Sequence, residues 1–170
     1  MKRKYFSLIF LVALLVLSTN TFYSLASKDE IQEMKIKGIA YDQTLQTPVV
    51  LLTDKQESAV LPIWIGICEA RSIELGLSDK VAPRPLTYDL IAAVIRTLNA
   101  QVERIIIVDL RDQVFYSQVE VLVDGKVSKI DARPSDAIAL ASRMGSPIYV
   151  RKEVLKKAAL LDSNKPKQEL

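Results

Sequence analysis

The sequence predicts an α+β fold, a single domain in which one mixed, largely antiparallel sheet carries about three main helices, packed mostly on one face. Three observations lead there. Short β-rich runs follow one another early in the chain with only turn-sized gaps, the mark of an antiparallel meander. Asp124-Gly125 sits between two alternating runs and is the strongest hairpin signal present. Between and after these runs lie three segments with apolar residues at helical spacing.

Taken in order, residues 35–42 alternate well enough for a first strand, and residues 47–53 with Val49-Val50-Leu51-Leu52 form a second. Residues 54–57 turn the chain, and residues 59–65 form a third strand, in which Pro62 suits an edge or a bulge. A first helix is expected from near Gly66, with Ile67, Ala70, Ile73 and Leu77 inward and Glu69 in the first turn, where the helix dipole favours an acid. Residues 78–85 are a loop holding Pro83 and Pro85. Thr87 is the expected N-cap of a second helix over residues 88–98, with Leu90, Ile91, Val94, Ile95 and Leu98 inside. The apolar run at residues 102–110 reads as a central strand buried on both faces. Arg111-Asp112-Gln113 turns into residues 114–123 and 126–131, the hairpin around Asp124-Gly125. A third helix over residues 134–143 begins at Pro134, whose φ is already helical, and ends near Gly145. Residues 147–150 give a last short strand and residues 152–159 a last helix, with a flexible tail over residues 161–170.

The densest polar chemistry lies where strand meets third helix. Asp131, Arg133, Ser135 and Asp136 crowd one corner within six residues. A purely structural account has Ser135 and Asp136 cap the helix while Arg133 pairs with Asp131. A second corner, Arg84-Pro85-Leu86-Thr87-Tyr88-Asp89, resembles the first, which hints at a repeated strand-helix unit or at one capping rule used twice.

The first residues follow another logic. Met1-Lys2-Arg3-Lys4 is basic, residues 6–17 are almost wholly apolar, and Ser24-Leu25-Ala26 fits a small-x-small cleavage site. This is the three-part pattern of a secretory signal peptide over residues 1–26, with an uncleaved N-terminal anchor as the alternative. It places the folded part outside the cytoplasm, periplasmic or secreted. A lead-in over residues 27–33 and one domain over residues 34–160 follow. The whole chain holds 23 basic and 20 acidic residues; removing Lys2, Arg3 and Lys4 with the leader leaves 20 against 20. A nucleic-acid partner therefore has to use a local basic patch. Cys68 is the single cysteine, which excludes an internal disulfide, and its apolar neighbours Ile65 and Ile67 point to burial. The chain has no histidine, which removes Ser-His-Asp and Cys-His triads, histidine zinc sites and a histidine base.

Several separated motifs then stand in order: Leu61-Pro62-Ile63-Trp64-Ile65-Gly66 with Glu69-Ala70, Arg84-Pro85-Leu86-Thr87 with Asp89-Leu90, Val102-Glu103-Arg104, Asp109-Leu110-Arg111-Asp112 and Phe115-Tyr116. The run from Asp131 through Arg133-Pro134-Ser135-Asp136-Ala137 to Ala141 closes the set. Over residues 34–159 the sequence resembles the bifunctional nuclease family, associated with cleavage of both DNA and RNA. Members commonly carry a histidine where this chain has Tyr88, and a polar or proline-containing pair where it has Ile67-Cys68.

The resemblance implies phosphodiester hydrolysis with little sequence preference. Without histidine, that chemistry points to a divalent Mg²⁺ or Mn²⁺ held by carboxylates, with arginine on the phosphate. The candidate catalytic residues are Asp131, Asp136, Glu69 and Asp89, with Asp131 and Asp136 as metal ligands. Arg84, Arg111, Arg133 and Ser135 are the candidate phosphate contacts, and Tyr88 and Tyr116 stack on bases or, for Tyr88, donate a proton. Helix capping and local ion pairs account for each acid taken singly; Asp109 and Asp112 also fit as turn residues. A non-catalytic exported module that binds an anionic ligand or a protein partner is the alternative. A homo-oligomer is expected in either case.

Overall fold

The computed structural model describes residues 30–78 and 82–163, leaving aside the side chains of residues 162 and 163. The leader, most of the lead-in and the last seven residues expected as tail lie outside them. The strands are β1 (Ile31–Asp42), β2 (Thr47–Thr53), β3 (Val60–Trp64), β4 (Gln101–Arg111), β5 (Val114–Val123), β6 (Lys126–Ala132) and β7 (Ile148–Arg151). The helices among the described residues are α1 (Ile67–Leu77), α2 (Thr87–Thr97), α3 (Pro134–Met144) and α4 (Lys152–Ser163). The fold is α+β, with all seven strands in one sheet of order β3-β2-β1-β7-β4-β5-β6. Only β4 and β7 pair in parallel. Two elements run further than their sequence patterns: β1 starts at Ile31, inside the expected lead-in, and α4 extends to Ser163. The first four residues of β1 gain partners from β7, a long-range pairing that a local pattern does not reveal.

β1 serves two halves of the sheet. Ile31–Met34 pairs with β7, and Lys35 to Asp42 pairs with β2 across a bulge between Ile36 and Gly38. A bulge adds bend and twist to a strand. The sheet curls so far that residues of β3 at one edge and of the β4–β5 hairpin line the same cavities, although β2, β1 and β7 lie between them in the sheet. Pro62 sits on the edge strand β3, where its missing N–H leaves no gap in the ladder.

The turns obey their local chemistry. Asp124 and Gly125 both have positive φ, as a two-residue hairpin turn requires, and so do Asp112 and Gln113 at the β4–β5 turn. Ile105, Ile106 and Ile107 are all buried, so β4 is covered on both faces, since neighbours along a strand point to opposite sides. The central helix is α3, buried from Pro134 to Ala141 except at Asp136 and closed by Gly145 in the left-handed conformation. Full burial of a side chain such as Ile138 stabilises the fold by about 2 kcal/mol. The two helix–strand units α2–β4 and α3–β7 set their strands side by side in parallel.

Four local expectations are corrected. α2 turns Tyr88 and Ala92 into the core, with Ile95 partly buried, and leaves Leu90, Ile91, Val94 and Leu98 exposed. The helix has a wide apolar arc with Asp89 and Arg96 on the other side, and only one edge of that arc, at Tyr88, Ala92 and Ile95, meets the core. In α1 only Ala70 and Ile73 of the four expected residues are buried, with Ile67 and Leu77 exposed. Cys68 is exposed, because it lies on the outer side of the first turn of α1. Leu86, not Thr87, is the N-cap of α2, and Asp89 accepts the Leu86 backbone N–H at 2.8 Å. No helix of the described residues is long and apolar enough to cross a membrane.

Candidate functional site

The N-termini of three helices meet at one place. Glu69 lies in the first turn of α1, Tyr88 in that of α2, and Arg133 and Asp136 at the start of α3. Arg133 is the hub. Its Nε donates to Asp136 Oδ2 at 2.7 Å, and its Nη2 donates to Asp136 Oδ1 and to Glu69 Oε1, both at 2.9 Å. From the other side the Tyr88 hydroxyl donates to Asp136 Oδ1 at 2.6 Å. The Arg133–Asp136 contact is the bidentate fork, the strongest arrangement of this pair.

Electrostatics follow from these contacts. Burial pushes the Asp136 carboxyl up, but the hydrogen bonds from Arg133 and Tyr88 outweigh it and hold the group below the usual carboxylate range. Burial first, and then the adjacent Asp136, raises the pKa of Tyr88, so its phenol stays a proton donor at neutral pH. Asp136 likewise raises the pKa of the Arg133 guanidinium further.

Nothing caps α3. Its N-cap residue is Arg133, and no side chain accepts a backbone N–H of the first turn, so neither Ser135 nor Asp136 acts as the expected cap. Arg133 pairs with Asp136 and Glu69 rather than with Asp131. The Ser135 side chain makes no hydrogen bond to the described protein. Both residues open on a cavity of about 520 Å³, shared with Trp64 of β3 and with Gln113 and Phe115 of the β4–β5 hairpin. An uncapped helix N-terminus beside a guanidinium suits an anion.

Glycine 66 is part of this geometry. A Cβ there would run into the Glu69 carboxylate, so the absent side chain is what lets Glu69 fold back toward Arg133.

The other expected site residues lie elsewhere. Asp89 holds α2 in place, accepting from Leu86 N and from Arg143 Nε at 2.7 Å. Arg143, nearly buried, also donates to the Ser72 carbonyl and so ties α1, α2 and α3 together. Arg84 is exposed in the loop before α2. Arg111 pairs with Asp109 at 2.7 Å and lies over the Tyr116 ring at 4.4 Å. Asp109 accepts also from Lys157 of α4, which holds its carboxyl low. Asp131 is exposed on the edge strand β6, opposite Gln118. Tyr88 is buried and presents no ring face for stacking; only its hydroxyl reaches the site.

The donor set does not suit a resident divalent ion. Both oxygens of Asp136 already accept hydrogen bonds, and among the described residues no group of three or more acidic, cysteine or histidine side chains comes together. Trp64, Gln113, Phe115 and Arg143 are the residues that reasoning from sequence passed over. The first three fell within or beside the motifs, but only the curl of the sheet brings them to Arg133.

The fold is a curled mixed sheet that sets a guanidinium, two carboxylates and an uncapped helix N-terminus at one mouth. Comparison supplies the family. The model of the bifunctional nuclease domain matches residues 50–163, and the chain belongs to that family. Two relatives are uncharacterized proteins of Mycobacterium tuberculosis, MT1877 of strain CDC 1551 / Oshkosh and Rv1829 of strain ATCC 25618 / H37Rv. Each is 42% identical over 129 residues, covering 76% of this chain and 77% of the relative.

Proposed function

We propose that the protein is an exported nuclease that hydrolyses phosphodiester bonds of DNA and RNA with little sequence preference, through the Glu69–Tyr88–Arg133–Asp136 cluster. The observation that carries this reading is Arg133 held by two carboxylates at the mouth of a cavity, in a chain of this family. Asp136 and Tyr88 orient the guanidinium. Arg133 Nη1 makes no hydrogen bond to the described protein and is open to a phosphate oxygen, as are the Ser135 hydroxyl and the first amides of α3. A phosphate that takes Arg133 competes with Glu69 for Nη2. Glu69, released, accepts a proton from water; the hydroxide forms the new P–O bond, the ester P–O bond breaks, and water protonates the leaving oxygen. No step is routed through a metal, because both oxygens of Asp136 already accept hydrogen bonds.

Export rests on the three-part pattern of residues 1–26. A homo-oligomer is part of the proposal, and the exposed stripe of Leu90, Val94 and Leu98 on α2 gives a second copy a matching apolar surface. Pairing of both carboxylates with Arg133 also suits the second reading, a non-catalytic module that holds an anion.

The test is cleavage of single-stranded DNA, duplex DNA and RNA by the purified protein in Mg²⁺, Mn²⁺ or EDTA, beside Glu69→Gln, Arg133→Ala and Asp136→Asn. Cleavage that survives EDTA and is lost in all three variants supports the proposed mechanism. Cleavage abolished by EDTA would restore a metal to it. No cleavage above the variants, with phosphate or oligonucleotide still bound, would favour the binding module.

A further inference from the structure

Two cavities meet at the β4–β5 hairpin, and Arg133 lines one of them. The first, of about 520 Å³, holds Arg133, Ser135, Ile63 and Ile65. The second, of about 610 Å³, is apolar and runs between β3 and α4, past Leu61, Pro62, Leu155 and Ala158. Trp64, Gln113 and Phe115 line both. Each volume falls within the range of about 300–1,000 Å³ usual for small-molecule sites.

We propose that Trp64, Gln113 and Phe115 form a subsite for one unpaired nucleobase, with the adjoining phosphate on Arg133, so that the protein takes single-stranded rather than duplex nucleic acid. The inference rests on the nuclease reading for the identity of its ligand. Three features argue for this occupant.

The first is charge complementarity. Arg133 with its Asp136 and Glu69 partners, the open Ser135 hydroxyl and the uncapped start of α3 make one end polar, with Arg133 able to exchange Glu69 for a phosphate, while the walls leading away from it are aromatic and aliphatic. A nucleotide has that same division, with a charged phosphate at one end and a flat apolar face at the other.

The second is preorganisation. Trp64 is 39% exposed, yet its indole N–H donates to Asp42 Oδ2 at 2.9 Å, which pins the ring from the neighbouring end of β1. Phe115 is half-buried and packs against the core. Two anchored rings at one opening lose little freedom when a base stacks on them, and stacking tolerates any base.

The third is the polar group between the rings. Gln113 is exposed at φ 63°, a left-handed conformation unusual for glutamine, which the tight β4–β5 turn imposes. Its amide makes no hydrogen bond to the described protein. An amide offers a donor and an acceptor, and either edge of a base can meet it. In a duplex the base face is already stacked and its pairing edge occupied, so this subsite selects against paired substrate unless the base is flipped out.

Trp64 is the single tryptophan of the chain, so its fluorescence reports directly on the subsite. The experiment titrates the full protein with phosphorothioate-linked oligothymidylate and with a blunt duplex of equal length, following tryptophan emission. Phe115→Leu keeps an apolar side chain but removes the flat ring, and Gln113→Ala removes the amide; cleavage of ordinary oligonucleotides is measured in parallel. The expected result is quenching by the single strand, at least tenfold weaker binding of duplex, and binding about tenfold weaker in Phe115→Leu at unchanged melting temperature, in line with the loss of one stacked base. Equal affinity for duplex, emission that does not change on binding, or wild-type binding by Phe115→Leu would each overturn the subsite. Cleavage with silent emission would leave the nuclease reading standing and remove only this inference. Quenched binding without cleavage would do the reverse.

Discussion

Tyr88 and Asp136 lie 48 residues apart in sequence, and the hydroxyl of one donates to the carboxylate of the other at 2.6 Å. The bond joins the first turns of α2 and α3 and completes a chain in which Tyr88 fixes Asp136 and Asp136 fixes Arg133. Tyr88→Phe keeps the buried ring and deletes only the donor. The expected stability loss is about 1 kcal/mol, and turnover is expected to fall roughly tenfold as Arg133 loses its alignment. Urea melts and steady-state cleavage check both; wild-type turnover would make Tyr88 a core residue and no more.

Asp136 also sets a pH dependence. Its folded-state pKa lies below its ordinary value, so its interactions stabilise the fold fully above the unfolded pKa of about 3.9 and are lost as pH falls through the folded value. The stability difference between wild type and Asp136→Asn is therefore expected to be constant from pH 7 to about 5 and to shrink below about 4. Denaturant melts of both proteins across that range measure it. A difference that grows on acidification would contradict the assigned pairing.

Gly66→Ala tests the seat of Glu69. The new methyl would meet the far end of a flexible side chain, so the fold is expected to tolerate it, while Glu69 is pushed from Arg133. Activity is expected to drop toward that of Glu69→Gln, with a melting temperature close to wild type. Calorimetry and cleavage rates on the three proteins decide the matter; full activity in Gly66→Ala would remove Glu69 from the mechanism.

Arg143 and Asp89 form a prediction of the opposite kind. Arg143 is nearly buried and Asp89 about a third exposed, so Arg143→Ala takes one donor from Asp89, which keeps the Leu86 N–H, and one from the Ser72 carbonyl. The expected cost is about 1–3 kcal/mol, larger than that of the exposed ion pairs here. Equilibrium unfolding in urea reads it. Loss of activity is expected to follow the loss of stability, because α2 carries Tyr88 into the site.

The sheet, its turns and the helix starts were legible because each obeys a short-range rule. Asp124-Gly125 can hold two positive φ values, the run Ile105-Ile106-Ile107 fits only a strand covered on both faces, and Pro134 begins a helix without losing a hydrogen bond. The rotation of α2 was not legible. Its apolar arc is wider than the face that packs, and the edge that turns inward is the one joined to the rest of the fold by the Asp89–Arg143 and Tyr88–Asp136 contacts, whose partners lie far along the chain. The exposure of Cys68 was hidden for the same reason.

At the site, the residue types are set by the sequence alone: no histidine, one Arg-Pro-Ser-Asp corner, and Glu69 three residues after Gly66. The sequence determined the family as well, since ordered motifs are a property of the chain. Only the tertiary structure decided that Arg133 holds Glu69 and Asp136 and leaves Asp131 aside, that Asp89 belongs to packing, and that Trp64 and Phe115 stand beside the guanidinium. The physical reason is the curl of the sheet at the β1 bulge and the convergence of three helix N-termini. Both are sums of many small long-range contacts, none of which a local stretch of sequence contains.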